Sequence, residues 1–460
     1  MADVSPTSLT CRPSGLIDAL RDARRRTLAL VDDLSDEQLI GPVLDIINPL
    51  LWEIGHVGWF QERWALRELL GRRPLHADGD SLYDSSTVPH DRRWHLPLPS
   101  RQQTLDYMQD VLDAVCHHLA DLPDEPVAPR VRYFHLLALA HEDMHGEAFA
   151  YARQTLAYPA PPATGRAGDA PAGDGPAAGS PETEPGEDDI AIAGGAFLLG
   201  SSREAPFLFD NEKWAHEVEV APFSIARTAV TVGQFRAFVD DGGYQRENLW
   251  SRPGRRWLAT ATPRHPLYWR RDRGGWIQRR FDQRRPLVDE EPMMHVNAFE
   301  AGAYCRWVNR RLPTEPEWEW CATGAPGPDR AVAPPAHKTT YPWGDEPPAS
   351  SRAHLDGAGA GPAAVSACPA GDSPAGCRQL IGNVWEWTAT PFRPYPGFSP
   401  DPYVDYSRPW FDTHTVVRGG SWMTPARLIR SAVRSYYTPD RRDVFTGFRT
   451  CAADTTGPGR

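Results

Sequence analysis

The sequence predicts an α-helical domain followed by an α+β domain, on three observations. In the first half, apolar residues recur three or four positions apart, as they do in amphipathic helices. The second half contains short strand-like runs among many Gly, Pro and Trp residues, which favours an α+β domain with much irregular backbone. Between them, residues 159–189 are rich in Pro, Ala and Gly and almost lack large apolar side chains. Such a segment cannot bury enough surface to offset its ordering entropy, so we expect a flexible linker.

The first half predicts four helices, at residues 15–33, 45–71, 101–121 and 129–157. The stretch SDEQL at 35–39 resembles a helix start, with a serine three residues before a glutamine. Four such helices predict a bundle, which we place at residues 10–158. The connection at 72–99 looks irregular, and loops of that length in compact domains are often functional.

The second half, placed at residues 190–455, predicts fewer regular elements. IAIAGGAFLLG and HEVEVAPFSIARTAV have the composition of strands. Only VGQFRAFVDDGG and AFEAGAYCRWVNRRL have good helical spacing. Much of this domain should therefore be loops that carry binding surface.

Composition narrows the class of protein. With 460 residues and 41% hydrophobic content, the chain can bury large cores. Its formal charge of −11 argues against nucleic acid or an anionic membrane as a partner, so a small-molecule substrate is the default. The start lacks a secretory signal, and no apolar run approaches the roughly 20 residues of a membrane helix. Seven scattered cysteines without a CxxC pair suggest reduced thiols, and we expect a cytoplasmic protein.

The stretch HEDMHGE at 141–147 predicts a metal site. On a helix, His141 and His145 share one face and can bind one ion. Glu147 lies on another face, which suits an outer position beside a ligand better than direct ligation. His56, on the second helix amid apolar residues, is the candidate third ligand. Three histidines leave coordination positions open, as a catalytic site needs, although HxxxH pairs also occur by chance among core residues.

Motifs of the second half then suggest a family. GGAFLLGS, VNAFEAGAYCRWVNRRLPTEPEWEW, IGNVWEWT, VVRGGSW and FTGFRTCA resemble, in order, the formylglycine-generating-enzyme (sulfatase-modifying factor) domain, which has a C-type-lectin-like fold. The first half resembles the DinB-like four-helix bundle that precedes this domain in the ergothioneine-type sulfoxide synthase family. The two resemblances cover all but the linker and the extreme termini.

This resemblance implies a non-heme iron enzyme that uses O2 as co-substrate. Members join sulfur, or selenium in the selenoneine synthase branch, to the imidazole carbon of N-trimethylhistidine (hercynine). The family's three Fe(II) ligands fall on His56, His141 and His145. No catalytic acid or base is identified, and the resemblance implies a monomer or homodimer.

Departures from the family pattern refine these expectations. Where formylglycine-generating enzymes carry a cysteine pair, this chain has only Cys451, which argues against copper–thiolate chemistry. The methyltransferase domain of ovothiol-forming relatives is not expected. In place of an NSYY-like stretch the loop reads YDSST, and YDSSTVPHDRRWHLPLP looks closer to the selenoneine synthase branch. The expected product is a hercynyl selenoxide made from a selenosugar; the alternative is a hercynine sulfoxide made from cysteine or γ-glutamylcysteine.

Candidate substrate contacts lie in both halves. A quaternary ammonium requires aromatic faces and carboxylates. The candidates in the second half are Asn383 for the substrate carboxylate or ring, Trp385 and Trp387 for a cage, and Tyr395, Trp410 and Phe411 for further walls. The tryptophans of GNVWEW have core packing as their alternative role.

The loop of the first half supplies the candidates for the chalcogen donor. Arg92 and Arg93 would bind an anionic or hydroxyl-rich donor, and a solvated pair is the alternative. Asp84 would orient a ligand histidine or a donor hydroxyl.

Two rival functions remain at this point. One is a DinB-type thiol transferase that uses zinc or nickel on the same histidines. The other is a non-catalytic binding or scaffold module whose histidines are core residues.

Overall fold

The computed structural model describes residues 12–162, 186, 188–203, 205–326, 332–333 and 338–453. The chain divides into two compact units, residues 1–164 with 204–207, and residues 165–203 with 208–460. The predicted fold class is confirmed, since helices form the first unit and sheets with helices form the second. Most of the predicted linker at 159–189 lies outside the described residues, so the domain boundaries stay predictions.

The first unit contains the four predicted long helices and two short ones. The helices are α1 (Pro13–Ala29), α2 (Asp36–Ile40), α3 (Leu50–Gln61), α4 (Gly79–Tyr83), α5 (Arg101–Ala120) and α6 (Pro129–Leu156). The chain continues from α3 as a π-helix, Glu62–Glu68, and a 3-10 turn covers His90–His95. Ser35 and Ser100 begin α2 and α5 with capping boxes, each of which satisfies backbone N–H groups that have no partner within the helix.

Helix α3 forms the centre of this unit. All its residues are buried, as expected of a helix that is apolar on every side. It lies against α5 and α6. Arg24 of α1 forms a buried ion pair with Glu142 of α6, at 2.8 Å between Nε and Oε1, and donates to Gln61 at the end of α3. These contacts fix α3 and α6 against each other.

Over its described residues, the second unit forms four small sheets. Its strands are β1 (Asp189–Ile192), β2 (Gly195–Leu199), β3 (His216–Val220), β4 (Phe223–Ala226), β5 (Trp269–Asp272), β6 (Gly275–Arg280), β7 (Gln283–Pro286), β8 (Arg310–Arg311), β9 (Ala325–Pro326), β10 (Val332–Ala333), β11 (Trp385–Pro391), β12 (Thr415–Arg418), β13 (Arg434–Tyr437), β14 (Thr446–Gly447) and β15 (Cys451–Ala452). The sheet orders are β8-β15-β4-β1-β10-β9, β13-β12-β11-β14, β2-β3 and β5-β6-β7. Strands β11 and β12 run antiparallel, with Trp387 opposite Val417.

Four helices accompany these sheets: α7 (Val232–Asp240), α8 (Arg252–Ala261), α9 (Ala298–Trp307) and α10 (Glu315–Thr323). Helices α7 and α9 correspond to the two predicted segments. Helices α8 and α10 were not expected. The core of the unit contains fully buried aromatic residues together with paired charges. One such pair joins Arg449 to Glu386, with N–O distances of 2.6 and 2.7 Å.

Within the described residues, none of the helices has the length and apolar character needed to cross a bilayer. The six described cysteines are buried and free.

Candidate metal centre

The structure brings together the three histidines that the sequence singled out. One potential ligand atom from each of His56, His141 and His145 lies within 4.8 Å of the others. His56 lies on α3, and the other two lie one turn apart on α6. The ring of His56 is 5.0 Å from each of the other two rings, which are 4.4 Å from each other, measured between centroids.

Hydrogen bonds orient two of the three imidazoles. Nδ1 of His56 lies 2.7 Å from the backbone carbonyl oxygen of Tyr83. Because a carbonyl oxygen only accepts, Nδ1 carries the proton, and Nε2 keeps its lone pair for a metal. Nδ1 of His145 lies 2.8 Å from Oε1 of the buried Glu53. Nδ1 donates there too, which leaves Nε2 of His145 for a metal. Metal-binding histidines typically donate their second ring N–H in this way.

Burial favours the neutral imidazole that a metal requires. His56 and His141 are 3% and 4% exposed. Burial, together with the neighbouring His145, lowers the pKa of each of these two imidazoles well below the ordinary value. Three neutral nitrogen ligands with open positions suit a divalent first-row transition metal such as Fe(II). The residues therefore fit the metal that the sequence suggested.

Aromatic rings stack on two of the ligand histidines and fix the orientation of their ring planes. Trp52 stacks on His56 with 4.9 Å between centroids and 9° between planes. Phe60 stacks on His141 at 3.5 Å and 2°. Both aromatic residues belong to α3, so one helix supplies a ligand and the rings that flank two ligands.

Glu53 supplies a carboxylate that contacts a ligand histidine, His145. Sequence reasoning had offered Glu147 and Asp84 for the outer position. Glu147 is buried on α6, and Asp84 accepts from the backbone N–H and hydroxyl of Ser86, at 2.9 and 2.6 Å, in the loop after α4. Glu53 lies three residues before His56 on the same helix face. This spacing could have identified Glu53 from the sequence as a residue close to the metal site.

The two loop arginines differ in their surroundings. Arg92 is exposed to solvent. Arg93 is 9% exposed, and its guanidinium lies 4.1 Å from the ring centroid of Trp52. Sequence reasoning treated the two as a pair, but only Arg92 has the exposure expected of a solvated residue.

In the second unit, most of the predicted substrate contacts are core residues. Asn383 is 2% exposed, and its amide exchanges hydrogen bonds with the backbone of Ala363. Trp387 is fully buried and donates to the carbonyl of Val296 at 2.8 Å. Trp385 is 6% exposed at the start of β11. These positions argue for roles in the fold, which was the alternative for the GNVWEW motif.

The other three candidates are placed differently. Tyr395 is 6% exposed, and Arg434 lies over its ring at 4.0 Å. Trp410 is 42% exposed, and Phe411, half-buried, contacts the ring of Phe392. The structure does not gather the six candidates into one cage.

An aromatic group that sequence reasoning missed lies nearby in the same unit. Phe209 stacks on Tyr406 at 4.0 Å, and Tyr406 meets Tyr436 edge-on at 6.2 Å. Asp210 follows Phe209, is 1% exposed, and accepts from the hydroxyl of Ser407 at 2.5 Å. Burial raises the pKa of the Asp210 carboxyl. The group joins segments about 200 residues apart, so no local motif could have revealed it.

Comparisons with known proteins agree with this two-part organisation. Residues 19–149 match the family model of the DinB superfamily, and residues 176–454 match that of the sulfatase-modifying factor enzyme 1-like domain. The chain is 37% identical to a hercynine oxygenase of Mycolicibacterium thermoresistibile over 438 residues, which covers 94% of this chain and 93% of the relative. It is 35% identical to a hercynine oxygenase of Mycobacterium tuberculosis, covering 97% of this chain and 98% of the relative.

A formylglycine-generating enzyme of Thermomonospora curvata matches 58% of this chain at 33% identity, over 93% of its own length. The resemblance drawn from the sequence motifs is thereby confirmed. The full-length similarity, together with the buried histidine cluster in the DinB-like part, shows that this chain belongs to the hercynine oxygenase family.

Proposed function

We propose that this protein is a non-heme Fe(II) enzyme that uses O2 to join a chalcogen atom to the imidazole carbon of hercynine. The single observation that carries the proposal is the convergence of His56, His141 and His145 in a chain of this family, with His56 and His141 buried. Oxygenase chemistry needs an ion with free coordination positions, and three protein ligands leave them.

The residues of the first unit would hold the metal and keep its surroundings dry. Iron, when bound, supplies the redox chemistry for O2 and a position beside which the chalcogen donor is activated. The imidazoles of His56, His141 and His145 would hold the metal, and the Tyr83 carbonyl and Glu53 orient the rings of His56 and His145. Trp52 and Phe60 cover the flanks of two ligand rings and exclude water from them.

For hercynine, we propose the aromatic group around Asp210 as the trimethylammonium subsite. A quaternary ammonium cannot donate a hydrogen bond, so aromatic faces and a carboxylate must recognise it. Phe209, Tyr406 and Tyr436 supply the faces, and Asp210 supplies the charge. A buried carboxylate is costly when alone, and a bound cation would offset that cost. Trp410 and Phe411 stay as candidates for an outer wall.

For the donor, we propose selenium, supplied by a selenosugar. The support is the loop YDSSTVPHDRRWHLPLP, whose residues resemble the selenoneine synthase branch. Arg92, exposed at its centre, is the candidate contact for the donor. The alternative is a sulfoxide synthase that takes cysteine or γ-glutamylcysteine. We propose a cytoplasmic location and a monomer or homodimer alongside either donor.

A competition assay tests the proposal. Fe(II)-loaded protein is supplied aerobically with hercynine and equal amounts of selenosugar, cysteine and γ-glutamylcysteine, and products are identified by mass spectrometry. A selenium-containing hercynine adduct is expected. Product containing only sulfur would overturn the selenium assignment and leave the reaction class intact. Absence of any adduct would overturn the reaction class.

The His141→Ala variant is the matched control, and it should lose activity by at least about a hundredfold because one of three ligands is gone. The rival thiol transferase is tested by metal analysis of protein purified without oxygen. Stoichiometric zinc or nickel without iron-dependent O2 uptake would favour that rival.

A further inference from the structure

We propose that Arg93 is a positioning residue of the metal centre, whose guanidinium holds both the loop that aims His56 and the side chains that aim His145. The inference rests on the proposed metal centre. It reassigns a residue that the sequence had suggested for donor binding.

The contacts of Arg93 occupy its face and both terminal nitrogens. Nη1 donates to Oδ1 of Asn48 at 2.6 Å. Nη2 donates to the backbone carbonyl oxygens of Ser85 and Val88, at 3.3 and 3.2 Å. The guanidinium face lies on Trp52. A planar fork used in this way has a single orientation, which a lysine could not reproduce.

One branch of contacts leads from Arg93 to His56. The two carbonyls it binds belong to the loop that follows α4, and the carbonyl of Tyr83 at the start of that loop accepts from Nδ1 of His56. Trp52 reinforces the branch, because its indole N–H donates to the Leu82 carbonyl at 2.6 Å while its ring stacks on His56. Arg93 therefore binds the loop after α4 and packs against Trp52, whose ring stacks on His56.

The second branch leads to His145. Asn48 receives a hydrogen bond from Arg93 on its oxygen and donates from Nδ2 to Oε2 of Glu53 at 3.3 Å. The other oxygen of Glu53 bonds Nδ1 of His145 at 2.8 Å. A buried carboxylate is stable only when its oxygens are bonded, and Asn48 bonds the one that faces away from the ligand. One arginine thus supports two imidazoles that lie on different helices.

The test measures metal binding, separately from turnover. Co(II) serves as the probe, since its affinity is measured by competition with a chelator and its visible absorption reports ligand geometry. Arg93→Met should weaken Co(II) affinity about 10- to 100-fold and alter the absorption spectrum, as loss of outer-shell partners does. Arg93→Lys should be nearly as impaired. An exposed arginine that has no proposed role at the site provides the matched control: Arg73→Met should leave affinity and spectrum unchanged.

Three results would overturn the inference. Wild-type affinity and spectrum in Arg93→Met, with an increased KM for the chalcogen donor, would assign the residue to donor binding. If Arg93→Met kept the wild-type Co(II) affinity, absorption spectrum and KM, Arg93 would have only a packing role. If Arg93→Met fails to fold by circular dichroism, Asn48→Leu carries the test, and an unchanged Co(II) affinity in that variant would refute the second branch. Failure of the wild-type protein to bind Co(II) would instead refute the metal centre itself.

Discussion

Glu53 and His56 share one face of α3, yet Glu53 acts on a histidine 92 residues away in the sequence. Its charge and its hydrogen bond should both matter, because a carboxylate that accepts from an imidazole orients the ring and raises its basicity. We expect Glu53→Gln to weaken Fe(II) or Co(II) binding about 10-fold and Glu53→Ala about 100-fold, measured by chelator competition. Asp84→Asn, which keeps an oxygen for Ser86, should bind as the wild type does. If Asp84→Asn lost as much metal affinity as the Glu53 variants do, the role of Glu53 would be contradicted.

His135 makes stability depend on pH. His135 is completely buried, and burial lowers the pKa of its imidazole to about 4. Between about pH 6.5 and pH 4, the unfolded chain binds a proton at this residue and the folded chain does not. The free energy of unfolding should therefore fall as pH falls through this window, by about 3 kcal/mol.

The variant His135→Leu should lose that part of the pH dependence. Urea unfolding of both proteins at pH 7 and pH 4.5 measures the difference. His118, whose ring centroid lies 6.1 Å away on α5, is kept in both so that its contribution cancels. The same loss of stability on acidification in both proteins would show that His135 does not contribute.

At the scale of single residues, the sequence predicted the ligands better than their supports. The spacing of His141 and His145 on one helix is a local property, and His56 was a candidate because it lies amid apolar residues on the second predicted helix. The partners of these rings are not local, since Tyr83 lies 27 residues from His56 and the Arg93–Asn48 bond spans 45 residues. Such contacts depend on how α3, α4 and the loop after α4 fold together, which periodicity does not encode.

Among the elements, α3 and α4 meet through a glycine. A Cβ added at Gly55 would lie 2.3 Å from Cε1 of the buried Tyr83 ring. We expect Gly55→Ala to displace Tyr83, destabilise the protein by about 1–3 kcal/mol, and weaken metal binding through the Tyr83 carbonyl. Gly146→Ala on α6 is the matched control, because its nearest neighbour would be 3.8 Å away. The free energy of unfolding of Gly146→Ala should increase by up to about 1 kcal/mol, because alanine has a higher helix propensity than glycine. Thermal unfolding and chelator competition measure both effects.

The elements that were predicted and those that were missed differ in how their apolar residues are spaced. Helices α1 and α5 bury one face and carry the expected spacing. Helix α10 is buried almost all round, so no apolar stripe marks it in the sequence. Proline is tolerated in the first turn of a helix, where α8 and α10 both place it.

The second unit contains a buried ion pair that ties β11 to the segment before β15. Glu386 and Arg449 are 1% and 0% exposed, and the indole of Trp318 also donates to Glu386. Removing one partner leaves an uncompensated buried charge, so Arg449→Met should cost about 3–5 kcal/mol in unfolding free energy. The double variant Arg449→Met with Glu386→Gln should recover most of it. Urea unfolding of the three proteins is the measurement, and a double variant as unstable as the single one would contradict the charge argument.

Across the whole molecule, all three candidate ligands belong to the first unit, so metal binding should stabilise that unit first. At a free metal concentration 100 times the dissociation constant, binding stabilises the folded state by about 2.7 kcal/mol. Hydrogen exchange of the full chain with and without Co(II) should show increased protection in α3, in α6 and in the segment from α4 to His95. The sheets of the second unit, which supply none of the three ligands, should change little. The His141→Ala variant should show no protection gain at the same metal concentration. Protection that rises in the second unit while α3 and α6 stay unchanged would mean that the metal binds elsewhere.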